Sequence, residues 1–168
     1  MGIDENTIIR IISERAEIPK NQLAGTVPTV TGFADAVPGD LANATDGDVD
    51  SYTSTGTKIN GGAGDMGTFV FDIERVRTMM ISARVGVWAS AGNVQSYIES
   101  SDDGINYRGA TGGQGASIAP SITSATEKIV EGQVCVITGK YFRLRFYAGA
   151  ASTANVRVYE VRGSDIPL

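Results

Sequence analysis

Beyond Lys20 the chain alternates apolar and polar residues in short runs, the period of two that turns every second side chain toward one face of a strand. Thr68-Phe69-Val70-Phe71-Asp72-Ile73 is a clear instance. Runs of this kind span Thr26 to Phe33, Thr68 to Ile73, Thr78 to Ala89, Val94 to Ser100, Ile105 to Arg108, Gln133 to Thr138, Tyr141 to Tyr147 and Asn155 to Arg162. Clusters of Gly, Asn, Asp and Pro punctuate them, and the even spacing predicts an all-β fold, an antiparallel jelly-roll β-sandwich of about eight strands. Asp103-Gly104 between two runs signals a hairpin turn. Gly109 to Ser124, rich in small residues, reads as a loop.

The first twenty residues follow a different period. Ile8, Ile11, Ile12 and Arg15 recur at helical spacing, Asp4 is placed to cap and Pro19 to stop, which predicts a short N-terminal α-helix over Asp4 to Ala16. A three-turn helix heavy in β-branched Ile is marginal alone, so the stripe of Ile8, Ile11 and Ile12 needs a surface to cover it. That surface is either the chain's own sandwich or another subunit. The expected organisation is residues 1–22 as helix and linker, for attachment or oligomer contact, and residues 23–168 as the sandwich.

Composition narrows the chemistry. The 168 residues carry a formal charge of -5 and no basic run interleaved with aromatics, which argues against nucleic acid as a partner. Histidine is absent, and with it go Ser-His-Asp and Cys-His nucleophiles and His-ligated metal sites. The one cysteine, Cys135, lies in the apolar run Val134-Cys135-Val136-Ile137 and reads as a small core residue. Gly reaches 21 of 168 without a G-X-Y period, a sign of many turns. Neither a secretory leader nor an apolar run of about 18 residues is present, so the expectation is synthesis in the cytoplasm and no membrane insertion.

Several motifs then ask for chemistry. Gly62-Ala63-Gly64-Asp65-Met66-Gly67 fits G-x-G-x-x-G, but a strand follows where a dinucleotide site needs a helix, so it reads as a turn. Asn43-Ala44-Thr45 is formally a glycosylation sequon without a secretory route. Asp46, Asp48 and Asp50 crowd three carboxylates into five residues; they need either solvation or a shared cation, of which calcium is the natural one. An EF-hand is excluded, because Ser51 stands where Gly is required and Thr57 where Glu is. Glu160, placed by strict alternation on the face of Val156 and Val158, wants either a metal or an arginine such as Arg143. Trp88 alternates with Ser82, Arg84 and Gly86 and so falls on the more polar face of its strand. Tyr52 and Tyr107 lie near loop tips, where rings can serve as sugar platforms.

Taken in order, these features resemble the discoidin, or coagulation factor 5/8 type C, family of the galactose-binding-like superfamily. Its "A-x-DGD-x-x-T-x-W" loop resembles Ala44 to Thr53, its "V-D-L-G" strand resembles Phe71-Asp72-Ile73-Glu74, and its "S-x-DG-x-x-W" hairpin resembles Ser101 to Tyr107. "R-Y-V-R-L" resembles Lys140-Tyr141-Phe142-Arg143-Leu144, and "E-I-x-V-x-G" resembles the region Tyr159 to Gly163. The resemblance covers roughly Leu23 to Asp165. It implies an eight-stranded jelly roll whose end loops bind glycans, lipids or proteins, with a structural calcium near the DGD loop. The implied ligands are the Asn43 and Asp48 carbonyls, the Asp46 and Glu160 carboxylates, and Ser51. Thr53 replaces the family's Trp and no cysteine pair ties the termini.

The functional expectation is a non-catalytic structural or adhesive module of a multisubunit assembly, such as a phage virion surface component in a capsid decoration, tail or fibre. Its partners would be other subunits through the N-terminal helix and a cell-surface glycan through Tyr52, Trp88 or Tyr107. A free lectin-like carbohydrate-binding protein is the alternative. An enzyme is the third class; the nearest carboxylates, Glu99 with Asp102 or Asp103, read as a hairpin edge and its turn.

Overall fold

The computed structural model of the chain describes residues 21–32, 38–48, 50–60, 62–109, 116–131, 135–148 and 152–166. The expected N-terminal helix, with Ile8, Ile11 and Ile12, lies outside the described residues. Seven antiparallel strands are described: β1 (Thr29–Thr31), β2 (Thr53–Asn60), β3 (Gly64–Ser101), β4 (Arg108–Gly109), β5 (Ala116–Glu131), β6 (Cys135–Ala148) and β7 (Ser152–Asp165). A 3-10 helix covers Pro38–Ala44. The expected all-β antiparallel sandwich is thus present, with its strands merged into longer, bent ones.

β3, with 38 residues, shows how this happens. Its first part, Gly64 to Asp72, pairs with Ala148 to Tyr141 of β6, and its last part, Val94 to Ser101, pairs with the other edge of those same β6 residues. Its middle, Met79 to Ala89, pairs with Asp165 to Ala154 of β7 along one edge, and along the other with β6 as far as Ile81 opposite Cys135 and then with β5 from Arg84 opposite Glu131. One long bent strand therefore joins β6, β7 and β5 in a single hydrogen-bonded sheet. β1 flanks the first layer and β2 the second.

Alternation decides what lies between the layers. Phe69 and Phe71 of β3 face Phe142, Leu144 and Phe146 of β6, all fully buried, with the Phe71 and Phe142 rings stacked at 4.5 Å. From the second layer come Ile81, Val85, Val156, Val158 and Val161, also fully buried. Each such side chain contributes roughly 1.5 to 3 kcal/mol of transfer free energy. Cys135 belongs to this core, and burial pushes its thiol pKa up, as its apolar run predicts.

Three expectations are corrected. Gly109 to Ser124 is not all loop, because β5 begins at Ala116 and pairs with β3 through Ile98 and Tyr97. The segment Gly64 to Gly67 is strand rather than turn. The hairpin after Ser101 is a wider loop, closed by side chains, in which Gly104 takes φ +74°. Polar β2, Thr53–Asn60, was absent from the sequence-derived strands because only Ile59 interrupts its Thr, Ser, Gly, Lys and Asn residues.

Candidate functional site

The acidic loop follows the 3-10 helix and is wound by its own carboxylates. Asp46 Oδ1 accepts the Asp48 N–H at 2.8 Å, and Asp46 Oδ2 accepts the Ser51 hydroxyl at 2.7 Å. Asp48 Oδ1 accepts the Asp50 N–H at 2.9 Å, while Asn43 Nδ2 donates to the Tyr52 carbonyl at 3.1 Å. Gly47 at φ +88° supplies the left-handed step that a side chain would resist.

Glu160 reaches this loop by a route that alternation hides. The ladder pairs Arg84 with Glu160 but Val85 with Val158, so Tyr159 is an extra residue that bulges out of β7. Val158 and Val161 both point into the core, and Glu160 leaves the face of Val156 and Val158 where strict alternation had put it. It stands on the outer face, 3% exposed, beneath Asn21 and the acidic loop. Arg143 is not its partner. Arg162 Nε lies 3.7 Å from Oε1, Asn21 Nδ2 lies 3.4 Å from the same oxygen, and Oε2 is buried with no hydrogen-bond partner. Burial raises the Glu160 pKa against the opposing pull of Arg162, and the negative charges of Asp46 and Asp48 raise it further.

An orphaned carboxylate oxygen facing two further carboxylates has the hard-oxygen chemistry that calcium prefers. Among the described residues, however, no three His, Cys, Asp or Glu side chains converge as a ready-made metal cluster. The donors fit calcium in type, and Ser51 with the loop backbone closes the turn in the meantime.

The predicted aromatics are held by arginines. Tyr52, 36% exposed, tilts against Tyr159 at 5.3 Å while the Arg157 guanidinium sits 4.5 Å from its ring centre. Tyr107 carries the Arg143 guanidinium at 4.0 Å, and partial burial raises its phenol pKa. Trp88 is half-buried on the outer face of β3, opposite Asn155 of β7. Tyr52 and Tyr107 are therefore on different elements, each with its own cation. Sequence reasoning offered Arg143 only as a partner for Glu160 and did not single out Arg157; their place beside the tyrosines follows from the strand register, which sequence does not display.

Arg143 also binds Glu99. Its Nε is 2.6 Å from Oε2, and Arg145 Nη1 is 3.0 Å from Oε1, so Glu99 bridges two strands as a structural ion pair.

A cleft of about 370 Å³ opens between the turn at Gln22 to Thr26 and the β3 residues Asp72 to Met79. The ladder jumps there from Asp72 opposite Tyr141 to Arg77 opposite Gly139, leaving Ile73 to Val76 outside the pairing. Glu74 adopts φ +66°, a conformation that costs a side-chain-bearing residue about 1 kcal/mol or more. Its N–H donates to Asp72 Oδ1 at 2.8 Å. Among the described residues no helix is long and apolar enough to cross a membrane.

No protein-family model and no curated protein sequence matches the chain. Among solved structures it is similar to SpGH29, at 13% identity and TM-score 0.49, covering 96% of this chain but only 32% of that one. It is similar to chitosan-binding module 1 from a chitosanase/glucanase of Paenibacillus sp. IK-5, at 15% identity and TM-score 0.49, covering 87% and 98% of the two chains. It is also similar to CBM32-3 from a family 31 glycoside hydrolase of Clostridium perfringens, at 16% identity and TM-score 0.46, covering 90% and 97%. At these identities and scores no ligand or residue role passes from those proteins to this one.

Proposed function

We propose that the chain is a non-catalytic glycan-binding module displayed on a multisubunit assembly. The observation that carries this reading is the pair of outward tyrosines, Tyr52 and Tyr107, each fixed by a guanidinium within 4.5 Å of its ring. A ring held in one orientation loses little entropy when a sugar stacks on it, and the adjacent fork of N–H donors suits ring hydroxyls. Trp88 on the outer face of β3 is the third candidate platform.

A glycan array probed with bead-multimerised full-length protein tests the reading, since multivalency recovers weak single-site binding. We expect a reproducible hit that Tyr52→Ala or Tyr107→Ala diminishes without loss of folding. A blank array removes glycan binding and leaves a purely structural subunit.

Calcium belongs to the same proposal. Asp46, Asp48, Ser51, Glu160 and the Asn43 carbonyl would hold the ion, which would fix the loop that carries Tyr52. A ligand that binds only the folded state raises Tm by mass action. Millimolar calcium should therefore raise Tm above that of a chelated sample, and an unchanged Tm with no metal in the purified protein would reduce the loop to an acidic turn.

The assembly we propose is a virion, with residues 1–22 providing the subunit contact through Ile8, Ile11 and Ile12 and the sandwich facing a cell surface. Sedimentation tests it: full-length protein should associate, and removal of residues 1–20 should abolish association. A strict monomer would point to a free lectin.

A further inference from the structure

One corner of the sheet turns apolar side chains outward. Met80 of β3 stands directly across the ladder from Val136 of β6 on one side and from Ser164 of β7 on the other. In the next row Thr78 lies opposite Thr138, and its carbonyl accepts the Ile166 N–H at 3.1 Å. Met80 is 39% exposed, Val136 37% and nearby Val76 58%, while Ile166 is half-buried. Val76, Thr78 and Ile166 share a shallow recess of about 300 Å³. Apolar residues exposed singly need no cover, but a cluster on neighbouring strands marks a contact surface.

The chain itself points to what covers it. Residues 1–20 lie outside the described residues, and their sequence carries the stripe Ile8, Ile11 and Ile12, which is marginal as a helix without a surface to pack on. The described chain begins beside the patch. Gln22 N–H donates to the Gly163 carbonyl at 2.7 Å and Gly163 N–H to Asn21 Oδ1 at 3.0 Å, one residue before Ser164 of the Met80 row.

Lengths agree with this placement. Extended, the four residues between Ala16 and Asn21 reach about 13 Å. Met80 lies about two strand spacings, ~10 Å, from that exit. Ile8 to Ile12 rises about 6 Å along a helix, and the two patch rows are about 7 Å apart along a strand. A tether this short holds the segment at an effective concentration in roughly the millimolar range, above that of any second copy in dilute solution.

We propose that in the free subunit the segment Asp4 to Ala16 docks on this patch of its own sandwich, with Ile8, Ile11 and Ile12 over Met80, Val136 and Ile166. The proposal rests on reading the stripe as a contact element and adds a stored state to it. The stripe leaves the patch when a neighbouring subunit takes it.

Methyl NMR of dilute full-length protein tests this, using an equal mixture of labelled and unlabelled chains to separate contacts within a copy from contacts between copies. Overhauser contacts should join the methyl groups of Ile8, Ile11 or Ile12 to Met80 or Val136 within one copy. No such contacts, or contacts only between copies, would overturn the proposal. Val136→Lys, at an exposed position, should keep the fold, remove the contacts and speed amide exchange over residues 8–12 about tenfold, the weight of one buried valine. Ile11→Lys should release the patch from the other side and shift the Met80 methyl signal in the same way as Val136→Lys. Exchange unchanged in Val136→Lys, with the protein folded, would also overturn it. A strict monomer that retains the contacts would remove the subunit contact and keep the docked segment.

Discussion

Glu99 and Glu160 are the same residue type, with side chains 12% and 4% exposed, both on outer faces of the sandwich and both across the ladder from an arginine. Glu99 uses both oxygens, one on Arg143 and one on Arg145. Glu160 has Arg84 as its ladder partner, but that guanidinium lies over the Tyr159 ring at 5.6 Å, and Oε2 is left without a hydrogen bond. The bulge at Tyr159 separates the two cases: in regular ladder the cross-strand arginine meets its glutamate, and at the bulge the arginine lies over the aromatic ring of the inserted residue. A satisfied carboxylate is scaffold, whereas the unsatisfied one, beside two further carboxylates, is the one to which the proposed calcium would bind.

The contrast breaks most sharply at Glu99. Glu99→Ala leaves two half-buried guanidinium groups without their shared partner and should cost about 2 kcal/mol in urea denaturation, below a fully buried pair because both arginines retain solvent contact. Glu160→Gln should do the reverse in chelated protein, adding about 1 kcal/mol by removing an unsatisfied buried charge. The same substitution should abolish any rise in Tm with calcium. If both variants destabilise equally in chelator, Glu160 is as well satisfied as Glu99 and the comparison fails.

This asymmetry was only half legible in the sequence. Alternation identified Phe69, Phe71, Val156 and Val158 as core and put Trp88 on the outer, more polar face, because period-two patterning survives wherever the ladder is regular. It misplaced Glu160 because one inserted residue reverses every later side chain, and nothing in Val158-Tyr159-Glu160 announces the insertion. β5 escaped because its first half, Ala116 to Ser124, is mostly Ala, Ser and Thr with a central Pro, so paired strand there looks like loop. The cleft was invisible for a different reason. Gln22, Glu74 and Arg77 meet only through tertiary pairing, and the left-handed backbone at Glu74 leaves no mark in a residue type that normally avoids it.

A third carboxylate sharpens the comparison at its exposed extreme. Asp103 is open to solvent yet densely bonded: Oδ1 accepts the N–H groups of Ile105 and Asn106, each at 2.8 Å, and the Ser101 hydroxyl at 2.8 Å, while Oδ2 accepts Asn106 Nδ2 at 2.7 Å. The backbone donors of Asn106 and Ile105, followed by the Asn106 and Ser101 side chains, hold its pKa far below the usual carboxylate range. A depressed folded-state pKa means that the unfolded chain takes up the proton first. The stabilisation is therefore complete above the unfolded-state pKa and fades as pH falls toward the folded-state one. Asp103→Asn should lower the urea midpoint at neutral pH, and its difference from the parent should close as the pH drops below about 4. For Glu160 the raised pKa reverses the sign: in chelated protein the parent loses stability relative to Glu160→Gln as pH rises from the ordinary carboxylate range through the folded-state value. The two variants should thus diverge from the parent in opposite directions between acid and neutral pH. A gap for Asp103→Asn that stays constant across that range would show that its hydrogen bonds hold the loop without favouring the charged carboxylate.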